Sequence, residues 1–405
     1  MSANTTVEIL DRDSWLSVFR AFLRLGLTSF GGPVAHLGYF RAEFVTRRRW
    51  LDEAAYSDVV ALCQFLPGPA SSQVGITLGI LRIGLPGAFA AWLGFSAPSA
   101  LALIAFAYSV ERLGDIAQAA WLHGLKIVAV AVVAQAVWGM ARNLCPDRER
   151  ATLAVAAALL VLAIPTAAGQ IGAIVFGGLI GWRLLPGAAA TTDGALAVRI
   201  DRALAIGALL VFAALLFGLP LLAAASGNHA IALIDRFYRA GSLVFGGGHV
   251  VLPLLQKAVV PPGWIGNDAF LAGYGAAQAV PGPLFTFAAY LGTIMQPGPS
   301  GFVGGLICLC AIYLPSFLLL IGVLPFWDVL RRREAVQSAL KGVNAAVVGL
   351  LLAALYTPVW TSAIFTPKDF ALGVAAFLLL VFWRVPPWLV VVLGALGASV
   401  LAHIG

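Results

Sequence analysis

The sequence predicts an all-α polytopic membrane protein made of two homologous halves, related as inverted-topology repeats and containing broken helices. Three observations predict it. Of the 405 residues, 61% are hydrophobic and only 11% are charged, whereas soluble domains carry roughly 25% charged residues. Apolar runs near the ~20 residues needed to span a bilayer follow one another along the whole chain, joined by short polar loops. Motifs of the first half then recur in the same order in the second. The 44 glycines and 22 prolines fit this class, since both are commoner in membrane helices than in soluble ones.

Taken in order, the first half has apolar runs at 15–40, 56–82, 85–110, 118–141, 151–165 and 167–185. A lone run follows at 203–225, and six more lie at 231–256, 268–295, 300–327, 335–357, 369–384 and 387–404. The chain divides into a first repeat at 1–190, a linker with one extra span at 191–229, and a second repeat at 230–405. The fifth and sixth runs of each half are short, so either pair can be a tight hairpin. No cleavable signal peptide is expected: Met1 to Arg12 is polar with mixed charge, and Arg20 and Arg24 interrupt the first apolar run.

The repeat is carried by paired motifs. Phe22-x-Arg24-x-Gly26 matches Phe237-x-Arg239-x-Gly241, and Phe30-Gly31-Gly32 matches Phe245-Gly246-Gly247. Trp50 matches Trp264, and Gln64 with Pro67-Gly68-Pro69 matches Gln278 with Pro281-Gly282-Pro283. Pro98-Ser99 matches Pro315-Ser316, and Gly124-x-Lys126 matches Gly342-x-Asn344. Constant order and near-constant offset are the mark of an internal repeat.

Two of these motifs break helices. Proline lacks an N–H and its ring clashes with the preceding turn, so Pro-Gly-Pro cannot continue a helix. Phe-Gly-Gly is a second break, its glycines permitting positive φ. Unpaired backbone in hydrocarbon costs several kcal/mol per group, so such breaks are tolerated where they line a polar site. Helices restarting at Pro33, Pro69 and Pro283 aim free N–H groups and a positive dipole end at the break. Counting both breaks in each half, four candidate helix starts near the membrane middle form an anion-binding arrangement. The plainer reading is ordinary kinked helices.

Orientation follows from Lys and Arg placement. With a cytoplasmic N-terminus and thirteen crossings, Arg142, Arg148, Arg150, Arg183, Arg199, Arg202, Lys257, Arg331, Arg332, Arg333, Lys341 and Arg384 face inward. Six spans plus a linker span is an odd number, so the halves come out inverted. One cluster disagrees: Arg41, Arg47, Arg48 and Arg49 fall outside. Either that loop is special or the first run re-enters without crossing.

Charged and polar residues within the runs are the candidates for chemistry. Arg24 and Arg239 lie at matching places before Phe-Gly-Gly; each can bind a tetrahedral oxyanion bidentately or snorkel to the interface. Arg20 reads as interfacial. Lys126 neutralises substrate or snorkels in the same way, and its repeat partner is Asn344, with Lys341 nearby. Gln64 and Gln278 are neutral donors beside the breaks, or helix–helix hydrogen-bonding groups. His36 and His249 follow the two Phe-Gly-Gly turns at different offsets and read as structural histidines, with pH sensing the sharper alternative. Glu43, Asp52, Glu53 and Asp58 cluster around the first loop, so no carboxylate relay is apparent. No metal-ligand spacing and no Walker motif is present, and the four cysteines read as small buried hydrophobes.

Arg24-x-Gly26, Phe30-Gly31-Gly32-Pro33, Glu43, Trp50-Leu51 and Gln64-x-x-Pro67-Gly68-Pro69 resemble the N-terminal domain of the chromate ion transporter superfamily. Arg239, Phe245-Gly246-Gly247-Gly248-His249 and Gln278-x-x-Pro281-Gly282-Pro283 resemble its C-terminal domain. The likeness covers nearly the whole chain and implies a long-chain, two-domain member with oppositely oriented halves. It further implies chromate efflux across a prokaryotic plasma (inner) membrane, driven by the proton motive force and conferring chromate resistance. The first half carries Pro33 where the second has Gly248, which suggests division of labour between the domains. The partners implied are chromate, protons as coupling ion and the lipid bilayer. No cofactor and no nucleic acid is called for, and a homodimer is compatible with the sequence. Chromate and sulfate share charge and shape, so the residues alone specify an oxyanion. A sulfate or other oxyanion carrier, or an anion channel, is the alternative. A membrane enzyme would need convergent acids, histidines or a metal cluster, and none is found.

Overall fold

The structure, a computed structural model, describes residues 14–112, 120–187, 200–245 and 248–404. Among these, the first half contains α1 (Trp15–Thr28), α2 (Gly32–Phe40), α3 (Glu53–Phe65), α4 (Ala70–Ile83), α5 (Leu85–Arg112), α6 (Ala120–Leu144), α7 (Arg148–Ala163) and α8 (Ala167–Leu184). The linker helix is α9 (Arg202–Ser226). The second half contains α10 (His229–Leu243), α11 (Val251–Val259), α12 (Asn267–Ala279), α13 (Phe287–Ile294), α14 (Gly301–Val323), α15 (Trp327–Leu330), α16 (Glu334–Ala354), α17 (Pro367–Val381) and α18 (Pro387–Ile404). Polar caps start several of them: Ser14, Asp52, Asp147, Thr166 and Asn228 each accept from a backbone N–H of the first turn.

The first two apolar runs of each half do not cross. Phe22 on α1 stacks on Phe44 at 4.8 Å and meets Phe40 edge-on at 5.7 Å. A continuous helix would hold Phe22 and Phe44 about 33 Å apart, so the chain folds back at the break. The Arg82 guanidinium, at the end of α4, lies 5.4 Å from the ring of Trp50, which precedes α3. Nearer the tip of that hairpin, Cys63 Sγ is 3.7 Å from Thr77 Oγ1. In the second half Arg236 on α10 donates to the Ala258 carbonyl at the end of α11. The Tyr290 hydroxyl on α13 donates to the Ala269 carbonyl on α12 at 2.9 Å, and Gln296 N–H donates to Trp264 O at 3.0 Å. Four re-entrant hairpins result, with their tips at the predicted breaks.

This corrects the count of thirteen crossings. Among the described residues, five helical stretches are long and apolar enough to cross: Leu85–Val110, Ala120–Leu144, Arg202–Ser226, Gly301–Leu330 and Glu334–Trp360. The shorter α7, α8, α17 and α18 accompany them. Fold-back removes two crossings from each half, so the parity that inverts the halves survives.

Inversion is visible in the contacts. On α5 and α14, the third apolar runs of the two halves, Trp92 meets Tyr313 at 5.7 Å and Phe317 at 5.9 Å. At the other end Phe302 N–H donates to the Tyr108 hydroxyl at 2.8 Å. Rising numbers on one helix meet falling numbers on the other, so these equivalent helices run antiparallel.

The halves also exchange helices. The fourth helix of the first half, α6, packs on α17 and α18, with His123 Nε2 2.9 Å from Asp369 Oδ1. Reciprocally, α16 packs on α7 and α8. A Cβ on Gly342 would lie 2.0 Å from Gly177 O and 2.7 Å from Gly181 Cα. Small residues let membrane helices approach this closely.

Fold-back settles the basic loop. Arg331 Nη1 binds Asp58 Oδ1 and Oδ2 at 2.7 and 2.8 Å, placing Arg331 to Arg333 on the face where α3 begins. Arg41, Arg47, Arg48, Arg49 and Arg82 lie on that same face, at the open ends of the first-half hairpins. Lys257, expected with the inward group, ends α11 and lies on the opposite face.

Candidate functional site

The four hairpin tips meet, and they meet across the halves. Gly68 N–H donates to Val244 O at 2.6 Å, and Gly282 N–H donates to Ser29 O at 2.9 Å. Each Pro-Gly-Pro tip is thus bonded to the Phe-Gly-Gly tip of the other half. Gly68 has φ +132° and Gly282 φ +104°, conformations that essentially require glycine. A Cβ on Gly68 would lie 2.7 Å from Ser316 Oγ, and one on Gly282 would lie 2.9 Å from Ser99 Oγ. The repeated Pro-Ser pairs of α5 and α14 therefore flank the opposite half's tip.

Polar side chains line this crossing. His36 is buried, with Nε2 3.2 Å from Ser29 O and Nδ1 3.3 Å from Ser71 Oγ. A carbonyl only accepts, so Nε2 donates to the same oxygen that holds Gly282. Gln73 Nε2 donates to Pro67 O at 2.7 Å, and the Ser72 and Tyr313 hydroxyls lie 3.4 Å apart across the halves. His249 Nδ1 is 2.9 Å from the Tyr274 hydroxyl, and its Nε2 is 3.8 Å from where a Cβ on Gly32 would sit. Ser29 Oγ, Gln73 Oε1 and Gln278 Nε2 are buried without a hydrogen-bond partner.

Two helices begin here without side-chain caps: α2, with Gly31 as N-cap and Pro33 in its first turn, and α4, with Pro69 as N-cap. The first N–H groups of a helix have no intrahelical acceptor, and with the dipole they favour an anion. Of the residues singled out from sequence, Phe30, Gly31, Gly32, Pro67, Gly68, Pro69, Phe245, Gly248, His249, Gln278, Pro281, Gly282 and Pro283 belong to these tips or adjoin them. Gly246 and Gly247 lie outside the described residues.

The charged candidates, with Gln64 and Asn344, are not part of these tips. Arg24 is exposed on α1, and Gln64 is exposed on α3. Arg239 is not free for an anion: its Nη2 holds Asp235 Oδ1 and Oδ2 at 2.7 and 2.6 Å. Lys126 Nζ is 3.0 Å from Asp268 Oδ1, in the first turn of α12. That turn lies about 18 Å of helical rise from the tip. Asn344 sits on α16 with its Oδ1 buried and unpartnered.

Sequence reasoning placed the acids around the first loop and missed Asp235 and Asp268. The i, i+4 spacing of Asp235 and Arg239 was a local signal; Asp268 carried none. Among the described residues no group of three or more His, Cys, Asp or Glu is placed to hold a metal ion.

The family model described as chromate transporter matches residues 16–182 and 231–399, one match in each half. The chain belongs to the chromate transporter family. A chromate transport protein of Pseudomonas aeruginosa is 31% identical over 363 residues, covering 86% of this chain and 82% of its own. A chromate transport protein of Cupriavidus metallidurans is 25% identical over 389 residues, covering 93% and 90%. An uncharacterized transporter of Methanocaldococcus jannaschii is 26% identical over 356 residues, covering 86% and 85%. No solved structure matches the chain. Family membership and the apolar helices make this a multi-pass membrane protein of a transporter family.

Proposed function

We propose that this protein is a secondary carrier that exports chromate from a prokaryotic cytoplasm across the plasma (inner) membrane, coupled to the proton motive force, and so confers chromate resistance. The observation that carries this reading is the meeting of four broken-helix tips, two from each inverted half. Excess positive charge marks the cytoplasmic side of a membrane protein, which assigns the face bearing Arg41, Arg47 to Arg49 and Arg331 to Arg333 to the cytoplasm.

A chromate dianion entering from that face is held by the free N–H groups at the starts of α2 and α4, with Ser29 Oγ and Gln278 Nε2 as further donors. Arg24, one turn before Ser29 on an exposed face of α1, draws the anion toward the tips. The bonds Gly68 to Val244 and Gly282 to Ser29 both span the halves. Each contributes about 1 kcal/mol net, weak enough to break and reform as one half rocks against the other. His36, bonded to the Ser29 carbonyl and to Ser71, is the proton-binding group nearest this link. Sulfate has the same charge and tetrahedral shape, so it is expected to compete.

The test is chromate flux in reconstituted vesicles, with and without an imposed pH gradient. Gradient-dependent chromate flux inhibited by excess sulfate, and reduced at least tenfold in Arg24→Ala, is the expected result. Flux that ignores the gradient would mark a channel. Transport of sulfate without chromate would replace the substrate.

A further inference from the structure

The two halves differ in charge at one pair of equivalent positions on the helices that lead to the Phe-Gly-Gly tips. Arg20-x-x-x-Arg24-x-Gly26 in the first half aligns with Asp235-x-x-x-Arg239-x-Gly241 in the second. Arg20, Arg24 and Thr28 are exposed at i, i+4 and i+8, so they form one polar face of α1 running toward the Ser29 tip. On α10 the corresponding face carries an ion pair. The Asp235 side chain is 10% exposed, Arg239 is 32% exposed, and Nη2 grips both carboxylate oxygens. The buried Arg239 Nε still lacks a partner. The arginine is therefore kept in place, while its charge is spent on an internal anion.

We propose that Asp235 is a built-in competitor of the substrate dianion for Arg239, weakening anion binding on the face opposite the basic one. This rests on the carrier reading above and adds a residue to it. A carboxylate and a tetrahedral dianion seek the same guanidinium fork, and Asp235 also repels an arriving dianion. On the basic face the equivalent position is Arg20, which attracts it. The anion is thus captured past Arg20 and Arg24, which hold no ion pair among the described residues, and released past Arg239, which Asp235 already occupies. Net direction is still set by the coupling gradient, because a ligand shifts a two-state equilibrium only through its differential affinity for the states. The asymmetry sets the affinity of each facing state, and weak binding outside limits re-entry of exported anion.

The experiment measures half-saturation for chromate exchange from each side of vesicles of known orientation, using the full chain. Asp235→Asn is expected to tighten binding on the outer side about tenfold, one charge interaction of ordinary strength, while the cytoplasmic side is unchanged. Asp235→Glu, which keeps the charge, is expected to behave as wild type. Arg20→Asp imports the second half's pairing into the exposed first-half site, where folding is not at stake. It is expected to weaken the cytoplasmic side about tenfold and spare the outer one. Equal shifts on both sides, no shift in Arg20→Asp, or a Glu variant that behaves like Asn would overturn the proposal. The exchange is repeated with sulfate and phosphate. If only one of these exchanges, the chromate reading fails and the Asp235 comparison is read with that dianion. If no dianion exchanges, both fail.

Discussion

Among the described residues, two ion pairs made by Lys or Arg cross between the halves, one at each face, and they differ in burial. Asp58 on α3 pairs with Arg331 just past α15, both side chains 3% exposed. Asp268 on α12 pairs with Lys126 on α6, at 64% and 9% exposure. Each fastens the Pro-Gly-Pro hairpin of one half to the other half, on the face where that hairpin enters. The fastening on the basic face is dry and bidentate, and the opposite one is wet and single. An inverted repeat therefore preserves the backbone plan while the side chains make its two ends unequal.

Breaking the dry pair should have the largest effect. Arg331→Ala removes the partner of buried Asp58 and also the Asp328 contact, a loss of about 3–5 kcal/mol for a broken buried pair. Thermal unfolding of the detergent-solubilised protein would register it; a change like that of a surface mutation would show that water reaches the pair. Next come the tips. Gly68→Ala should cost about 2–3 kcal/mol through its positive φ and the cross-half contact. Gly282→Ala should cost less, since its nearest neighbour is 2.9 Å from the built Cβ against 2.4 Å at Gly68. Equal losses would mean that the backbone angle alone decides.

The wet pair should yield less. Asp268→Asn is expected to lose about 1 kcal/mol or below, the range for pairs with an exposed partner. A loss as large as that of Arg331→Ala would erase the distinction between the two faces. Smallest is Asp147, the half-buried cap of α7. The side-chain bond from Arg150 holds its carboxyl below the usual carboxylate range. Such a group stabilises above its unfolded pKa of about 3.9, and the contribution fades as pH falls through the folded value. Asp147→Asn should thus lower the melting temperature slightly at pH 7 and make no difference in strong acid, which melting curves across pH would check.

Much of the site was legible in the chain. Pro67-Gly68-Pro69 and Pro281-Gly282-Pro283 cannot be helix, and their matched spacing from Phe-Gly-Gly made them partners before any contact was known. The charge candidates were less legible. Arg239 and Lys126 read as free cations because their carboxylates, Asp235 and Asp268, are not marked by hydropathy. His36 read as structural, and only the structure joins it to the carbonyl that holds Gly282.

By itself the sequence determined where helices break, that they break twice in register, and that an odd parity inverts the halves. These follow from proline chemistry, glycine conformations and charge bias, which act locally or by simple count. The tertiary structure decided that the broken runs turn back instead of crossing, which moved Arg41 and Arg47 to Arg49 to the basic face. It also decided which half each tip bonds and which cations are already paired. A run that crosses and a run that folds back bury the same apolar residues with the same helical period. Only contacts such as Phe22 on Phe44 separate the two, and those contacts exist in space and not along the chain.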